Sequence, residues 1–203
     1  MPDRPARLAV FLSGRGSGFQ ALYRATQNGS LDAEIVLVVS SRRDAGGLQL
    51  AVSYGIETFV YRRKNYPDDQ QAVADLLARL QRRQVEYIAL AGYLKLLPRE
   101  VVAAYSGRVT NIHPALLPKF GGAGMYGLKV HQAVLAAGEK ESGATVHLVD
   151  EQYDHGRILE QVKVPVHADD TPETLAARVL IEEHKLYPRV LQKLISGEYE
   201  TTR

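Results

Sequence analysis

The sequence contains no cysteine. That excludes disulfides, thiolate metal sites and a cysteine nucleophile, and it is compatible with a reducing cytoplasm. A charge bias is also missing: 25 Lys and Arg stand against 23 Asp and Glu, a formal net charge of +2. There is no general basic footprint, so nucleic acid is not the expected partner. No apolar run approaches a membrane span, and Met1 to Arg7 lacks the apolar segment of a secretory leader. A cytoplasmic protein without a membrane partner is therefore expected. Internal repeats and low-complexity segments are absent. What remains is an ordinary composition, 45% apolar and 24% charged over 203 residues, expected to form one domain (1–203) with a substantial core.

Along the chain, strand-like and helix-like stretches alternate. Leu8 to Leu12 and Glu34 to Ser40 are continuous apolar runs, as in strands buried on both faces of a parallel sheet. A helix is expected from Phe19 to Asn28, stopped by Gly29, and a shorter one from Leu48 to Tyr54 before Gly55. A weaker strand follows at Glu57 to Tyr61. The helix from Asp69 to Gln84 places Val73, Leu76, Leu77 and Leu80 on one face. Tyr87 to Ala91 is the next strand, and Pro98 is expected at the first position of a short helix. After Val109 to His113 come a helix at Val130 to Ala137, an alternating strand at Gly143 to Val149, and a last strand at Arg157 to Val166, antiparallel to its predecessor because the connection is short. Thr171 caps the closing helix with Pro172 at its first position, and Pro188 should kink or split it near Tyr187. This order predicts an α/β fold, a doubly wound, mostly parallel twisted sheet with helices on both faces and right-handed crossovers.

Ligands of such sheets bind beyond the carboxyl ends of the strands, and three chemically distinctive loops fall there. The first is Ser13-Gly14-Arg15-Gly16-Ser17-Gly18 after the first strand. Its third glycine comes one residue early for a dinucleotide fingerprint, and it lacks a P-loop ending. It still aims backbone N–H groups and a helix dipole at an anion. Gly16, Ser17 and Gly18 suit a single phosphate as well as a pyrophosphate, the alternative being a tight turn without a ligand. The second loop is Gly92 to Leu97. The third is the end of Val109-Thr110-Asn111-Ile112-His113-Pro114, where Pro114 stops the strand. Residues two apart share a strand face, so Asn111 and His113 lie side by side. An amide beside a proton-carrying imidazole suits a carbonyl becoming a tetrahedral oxyanion. An isolated N-x-H-P is equally served by a capped turn with a satisfied histidine. The glycine-dense stretch from Lys119 to Gly127 serves as a lid or as a long connection; its composition does not decide between them.

Taken together and in order, Ser13 to Gly18, Leu90-Ala91-Gly92-Tyr93, Asn111-Ile112-His113-Pro114-x-Leu116-Leu117-Pro118, Gly143-x-Thr145-Val146-His147 and Asp154-x-Gly156 resemble the glycinamide ribonucleotide formyltransferase family of the folate-dependent formyltransferase superfamily. The resemblance runs from Leu8 to about Leu194 and implies a Rossmann-like formyltransferase fold. It implies transfer of a formyl group from 10-formyltetrahydrofolate, a co-substrate, to the amine of glycinamide ribonucleotide in purine biosynthesis, with no metal. By position, His113 is then the general acid/base and Asn111 the hydrogen-bond partner of the formyl oxygen. Asp154 sits near His113, raises its pKa and orders a water. Gly16, Ser17 and Gly18 hold the ribonucleotide phosphate, and Glu183 contacts the ribose or glycinamide part. Leu94, Lys95, Leu96 and Leu97, with the loop from Asp150 through Tyr153 to Asp154, line the slot for the pterin ring. Small molecules are the implied partners of a monomer or homodimer.

Some positions depart from the family pattern. Arg15 and Gly18 stand where asparagines are usual, His155 and Arg157 replace the Gly and Pro of D-x-G-P, and Asp69 occupies the place of a folate-binding arginine. A G-M-Y-G insertion lengthens the loop after the catalytic strand. His147 has a structural role or faces the site; His131, His155, His167 and His184 are weaker candidates. Related hydrolysis of 10-formyltetrahydrofolate normally requires an extra N-terminal domain, and formylation of initiator tRNA a C-terminal RNA-binding domain. With seven residues before the first strand and an end soon after the closing helix, neither is expected. A dinucleotide-sensing module would leave Asn111, His113 and Asp154 unexplained.

Overall fold

A computed structural model describes residues 4–199; of the N-terminal stretch Met1 to Arg7, residues 1–3 lie outside the described residues. One seven-stranded sheet runs through the molecule in the order β3-β2-β1-β4-β5-β6-β7. Its strands are β1 (Ala6–Leu12), β2 (Ala33–Ser40), β3 (Thr58–Val60), β4 (Tyr87–Leu90), β5 (Val109–His113), β6 (Glu141–Leu148) and β7 (Ile158–Pro165). The pairs from β3 to β5 are parallel, and those of β6 with β5 and with β7 are antiparallel. From β1 the chain winds outwards through β2 to β3 and then returns to β4 on the other side. The order therefore reverses between β1 and β4, where a doubly wound sheet opens a crevice.

The helices are α1 (Ser17–Gln27), α2 (Gly46–Ser53), α3 (Asp69–Arg82), α4 (Arg99–Ala104), α5 (Leu128–Ala136) and α6 (Pro172–Ile195). Alternation along β1 sends Leu8, Val10 and Leu12 to the face packed with Phe19, Leu22, Val179 and Leu191. Ala9 and Phe11 face the opposite way, towards Leu76, Leu80, Ile88 and Val101. In α3 the buried stripe is Ala72, Leu76 and Leu80, with Val73 and Leu77 half-buried at its edge.

Three expectations need correction. Helix α1 begins at Ser17, two residues early, because Gly16 adopts a left-handed conformation (φ 85°, ψ 25°) that turns the chain straight into the helix. Pro98 is the N-cap of α4 rather than its first residue. Helix α6 does not split at Pro188. The proline removes one donor, but Leu186, Tyr187, Val190 and Leu191 around it are all buried, and that packing holds the turn. Its start matches expectation: Thr171 and Thr174 form a reciprocal capping box, each backbone N–H donating to the other's hydroxyl. No helix among the described residues is long and apolar enough to cross a membrane.

Candidate active site

The carboxyl ends of three strands are tied together at the crevice. Ser13 Oγ, after β1, lies 2.7 Å from Ser41 Oγ after β2 and accepts a hydrogen bond from the Leu94 N–H after β4. Beside this junction is a cleft of about 320 Å³ whose lining includes Tyr93, Leu94, Asn111, His113, Tyr153, Asp154 and Glu183, roofed by the segment Gly122 to Gly127.

Strand register builds the floor. In the antiparallel β5–β6 pair Asn111 stands opposite His147 and His113 opposite Thr145, so four polar side chains share one patch. The amide nitrogen of Asn111 donates to His147 Nε2 at 3.0 Å and to Asp154 Oδ1 at 3.2 Å. His147 Nδ1 donates to the Leu148 carbonyl at 2.8 Å, which holds the ring's orientation. His113 Nε2 donates to the Phe120 carbonyl at 2.8 Å, and its Nδ1 lies 3.4 Å from Asp154 Oδ2. Asp154 sits at a positive φ of 53°, and its Oδ2 accepts the Gly122 N–H at 2.9 Å. The Asp154 carboxylate thus joins β5, the roof segment and the loop after β6. Behind it, buried Thr145 donates to the Ala115 carbonyl and accepts from the Leu117 N–H, bracing the turn that follows His113.

Electrostatics follow from burial. His113 was expected to gain basicity from Asp154. Desolvation instead lowers its pKa below the usual histidine value, outweighing the upward pull of Asp154 and the Phe120 carbonyl, with His147 adding to the lowering. Burial pushes the Asp154 carboxyl up, yet the neighbouring His147 and His113 rings and the Gly122 N–H outweigh it and hold it below the ordinary range. The floor is therefore a neutral imidazole beside a carboxylate.

The remaining predicted residues separate. Glu183, on α6, lines the same cleft; no hydrogen bond or ion pair reaches its carboxylate from the described residues, and burial pushes its pKa up to about 7. Leu94 and Tyr153 line the cleft and are 42% and 39% exposed. Lys95 and Leu96 face an adjoining cavity. Leu97 is buried in the core beside Phe11 and Val101, because the run Leu94 to Leu97 cannot turn every side chain outwards. The Asp150 carboxylate is committed to its own loop, accepting from His155 Nδ1 at 2.6 Å and the Gln152 N–H at 2.8 Å. Ser17 and Gly18 open α1, whose N-terminus carries no side-chain cap and no acidic residue in its first turn. They do not line this cleft; Ser17 opens on a groove between α1 and α6.

Three residues carry more of the site than the sequence reading gave them. His147 belongs to the floor, and the signal was available: an antiparallel partner for β5 brings one face of Gly143 to Val149 opposite Asn111 and His113. Thr145 braces the turn after His113 by the same register. The buried Tyr187 hydroxyl shares its one proton between the carbonyls of Leu90 and Thr110, which ties α6, and with it Glu183, to the ends of β4 and β5. Nothing local in the sequence marks that bond.

The formyl transferase family pattern matches residues 6–191. The chain is 50% identical over 189 residues to the chloroplastic phosphoribosylglycinamide formyltransferase of Arabidopsis thaliana, covering 93% of this chain and 65% of that relative. To phosphoribosylglycinamide formyltransferase of Haemophilus influenzae it is 37% identical over 194 residues, 94% of this chain and 88% of the relative. The crystal structure of phosphoribosylglycinamide formyltransferase from Brucella melitensis superposes with a TM-score of 0.87 at 46% identity, covering 98% and 100% of the two chains. This chain spans 65% and 61% of the lengths of the chloroplastic relatives from Arabidopsis thaliana and Vigna unguiculata. With the family pattern running through every strand of the sheet and the same architecture in a solved relative, the chain belongs to the formyl transferase family.

Proposed function

We propose that the chain transfers the formyl group of 10-formyltetrahydrofolate to the amine of glycinamide ribonucleotide, giving formylglycinamide ribonucleotide and tetrahydrofolate, as a cytoplasmic step of de novo purine (IMP) biosynthesis. The reading is of a single domain, monomer or homodimer, that works on small molecules. The observation that carries it is the joining of Asn111, His113 and Asp154 on one cleft floor with an unpartnered Glu183 across from them. Leu94, Tyr126 and Tyr153 are 39–46% exposed around the same opening, an apolar rim that a flat ring system would cover.

When the amine attacks the formyl carbon, the oxygen becomes an oxyanion and the attacking nitrogen acquires a surplus proton. The Asn111 amide, anchored by Asp154, turns one N–H from His147 to that oxygen. His113 Nδ1 takes up the proton beside Asp154, whose carboxylate stabilises the imidazolium. Because burial keeps its pKa low, the imidazolium gives the proton up readily to the folate nitrogen as the tetrahedral adduct collapses. The uncapped N-terminus of α1, with Gly16, Ser17 and Gly18, receives the ribonucleotide phosphate, and Glu183 receives the ribose or glycinamide end.

Spectrophotometric conversion of 10-formyltetrahydrofolate, run with and without glycinamide ribonucleotide, tests this. Turnover that requires the ribonucleotide is expected; turnover without it would make the protein a hydrolase on the same floor, and silence in both would overturn the reading.

A further inference from the structure

His184, a histidine of the closing helix that the cleft does not use, lines a second concavity: a groove of about 510 Å³ between α1 and α6. Arg24, Lys185, Arg189 and Lys193 line it as well, and no carboxylate does. Gathering four cations and a histidine along one groove is out of proportion to a net charge of +2. Three of the cations are answered by carboxylates outside the groove: Lys185 by Glu182 at 2.7 Å, and Arg189 and Lys193 by Glu160 at 3.0 and 2.6 Å. The Arg24 guanidinium has no ion pair or hydrogen bond among the described residues. His184 Nε2 is buried and has no hydrogen-bond partner there either. Burial lowers the His184 pKa and the charge of Arg24 adds to the lowering, so the two groups lie within reach of one another's field. An unanswered cation beside an unsatisfied imidazole nitrogen carries two penalties. One anion that accepts hydrogen bonds relieves both.

We propose that this groove is a second anion site, outside the cleft, that takes the phosphate group of a sugar phosphate between the Arg24 guanidinium and His184 Nε2. A phosphate matches the pair because its oxygens accept the forked N–H groups of an arginine and a ring N–H together. Its charge favours the protonated ring, in which Nε2 is a donor. The rest of the groove suits the sugar. Ala21, Ala25 and Pro188 give it an apolar floor, and Asn28, Ser30 and Gln192 offer polar groups for hydroxyls. The Gln192 amide is already oriented, since its oxygen accepts the Asp32 N–H at 2.7 Å and its nitrogen is left to donate. A volume of about 510 Å³ holds a pentose phosphate and lies in the usual range for small-molecule sites. The site is separate from the turn proposed above for the ribonucleotide phosphate: Arg24 lies two helical turns beyond Ser17, about 10 Å along the α1 axis. The groove joins the two, running from Ser17 to Asn28. An acceptor on its way to that turn and an unrelated sugar phosphate would present the same group to Arg24.

Nuclear magnetic resonance of the full chain, with ribose 5-phosphate as the probe, tests the site without any formyl donor. The His184 ring signals and the Arg24 Nε–H signal should move together and saturate with a Kd of about 1 mM, weakening several-fold as salt rises from about 0.05 to about 0.5 M. Arg24 is exposed, so Arg24→Ala keeps the fold. It should weaken binding about tenfold, the worth of one charge-assisted contact open to water. Ribose without the phosphate should leave both signals in place. Silence of both signals in the wild type, unchanged affinity in Arg24→Ala, or an equal response to ribose overturns the proposal. Movement confined to the backbone amides of Gly16 to Phe19 also overturns it, because the phosphate then sits at the start of α1. Kinetics separate the two sources. A ribonucleotide KM raised about threefold by Arg24→Ala assigns the site to the acceptor in transit; a wild-type KM, with ribose 5-phosphate still bound at Arg24 in the native chain, assigns it to another sugar phosphate. Because the spectra need no turnover, they decide the site even if the formyl-transfer reading fails.

Discussion

The floor of the candidate cleft and its rim are built on opposite rules. On the floor, Asn111, His113, His147 and Asp154 satisfy one another or nearby backbone groups with contacts of 2.8–3.6 Å. At the rim the Glu183 carboxylate has no partner among the described residues, and Leu94, Tyr126 and Tyr153 expose apolar surface. A satisfied network holds its geometry before a substrate arrives, which is what stabilising a transition state requires. An unsatisfied carboxylate and bare apolar faces lower the stability of the free protein and are relieved only by a ligand. On the function proposed above, the difference separates groups that act on the reacting atoms from groups that choose and hold the substrates.

The sharpest way to break this division is on the floor. His113→Ala should lower kcat by about 10²- to 10⁴-fold, the usual worth of a positioned acid/base, with the ribonucleotide KM changed by less than about threefold because binding belongs to the rim. Steady-state kinetics decide it, and unchanged turnover would remove His113 from the chemistry. Asp154→Asn comes next. The Asp154 charge raises the His113 pKa against the larger pull of burial, so its removal should send that pKa further down. Where activity requires neutral His113, the acidic limb of the kcat/KM profile then moves to lower pH while the plateau falls. A limb that stays in place shows the two groups to be uncoupled.

Much of this arrangement was legible in the residues. The buried runs of β1 and β2, the proline stop after His113 and the threonine–proline start of α6 each rest on a local rule, and each rule won. The parallel sheet with its reversal at β1 and β4 followed from the alternation of elements. What escaped were outcomes of competition between local and tertiary terms. The sign of the His113 shift depended on how deeply 5% side-chain exposure buries the ring, and a partner's charge visible in sequence gives no measure of that. Leu97 turned inwards from a run whose outward and inward members look alike. Pro188 does not split α6, whose neighbouring side chains are packed around it. His147 became a floor residue through a register that no single stretch encodes.

At the glycine loop proposed above for the phosphate the contrast narrows, since on that reading one residue serves both geometry and ligand. Gly16→Val places a side chain on a residue with φ 85°, and its Cβ would meet Gly47 Cα at 2.7 Å. The strained backbone should cost about 1–3 kcal/mol and shift the N–H groups of Ser17 and Gly18. A ribonucleotide affinity about tenfold weaker, larger than the change in donor KM, is expected from isothermal titration; wild-type affinity would take the loop out of the phosphate site.

The smallest effect sharpens the comparison most, because it should run in two directions at once. Glu183 titrates at about 7 in the folded chain, above its ordinary value of 4.5. A raised acid contributes stability that is complete below the unfolded value and is lost as pH rises through the folded one. At pH 8 the ionised, unpartnered carboxylate therefore weakens the fold, by about 1–3 kcal/mol after allowance for its partial contact with water. Glu183→Gln removes that charge and keeps the shape. It should raise Tm at pH 8 by about 2–4 °C per kcal/mol recovered, with little change at pH 5, where the carboxyl is already protonated. The same variant should raise the ribonucleotide KM several-fold and leave kcat nearly intact. A group kept for binding at the expense of stability gives both results; a purely structural carboxylate would lose stability on replacement, and a floor residue would lose kcat.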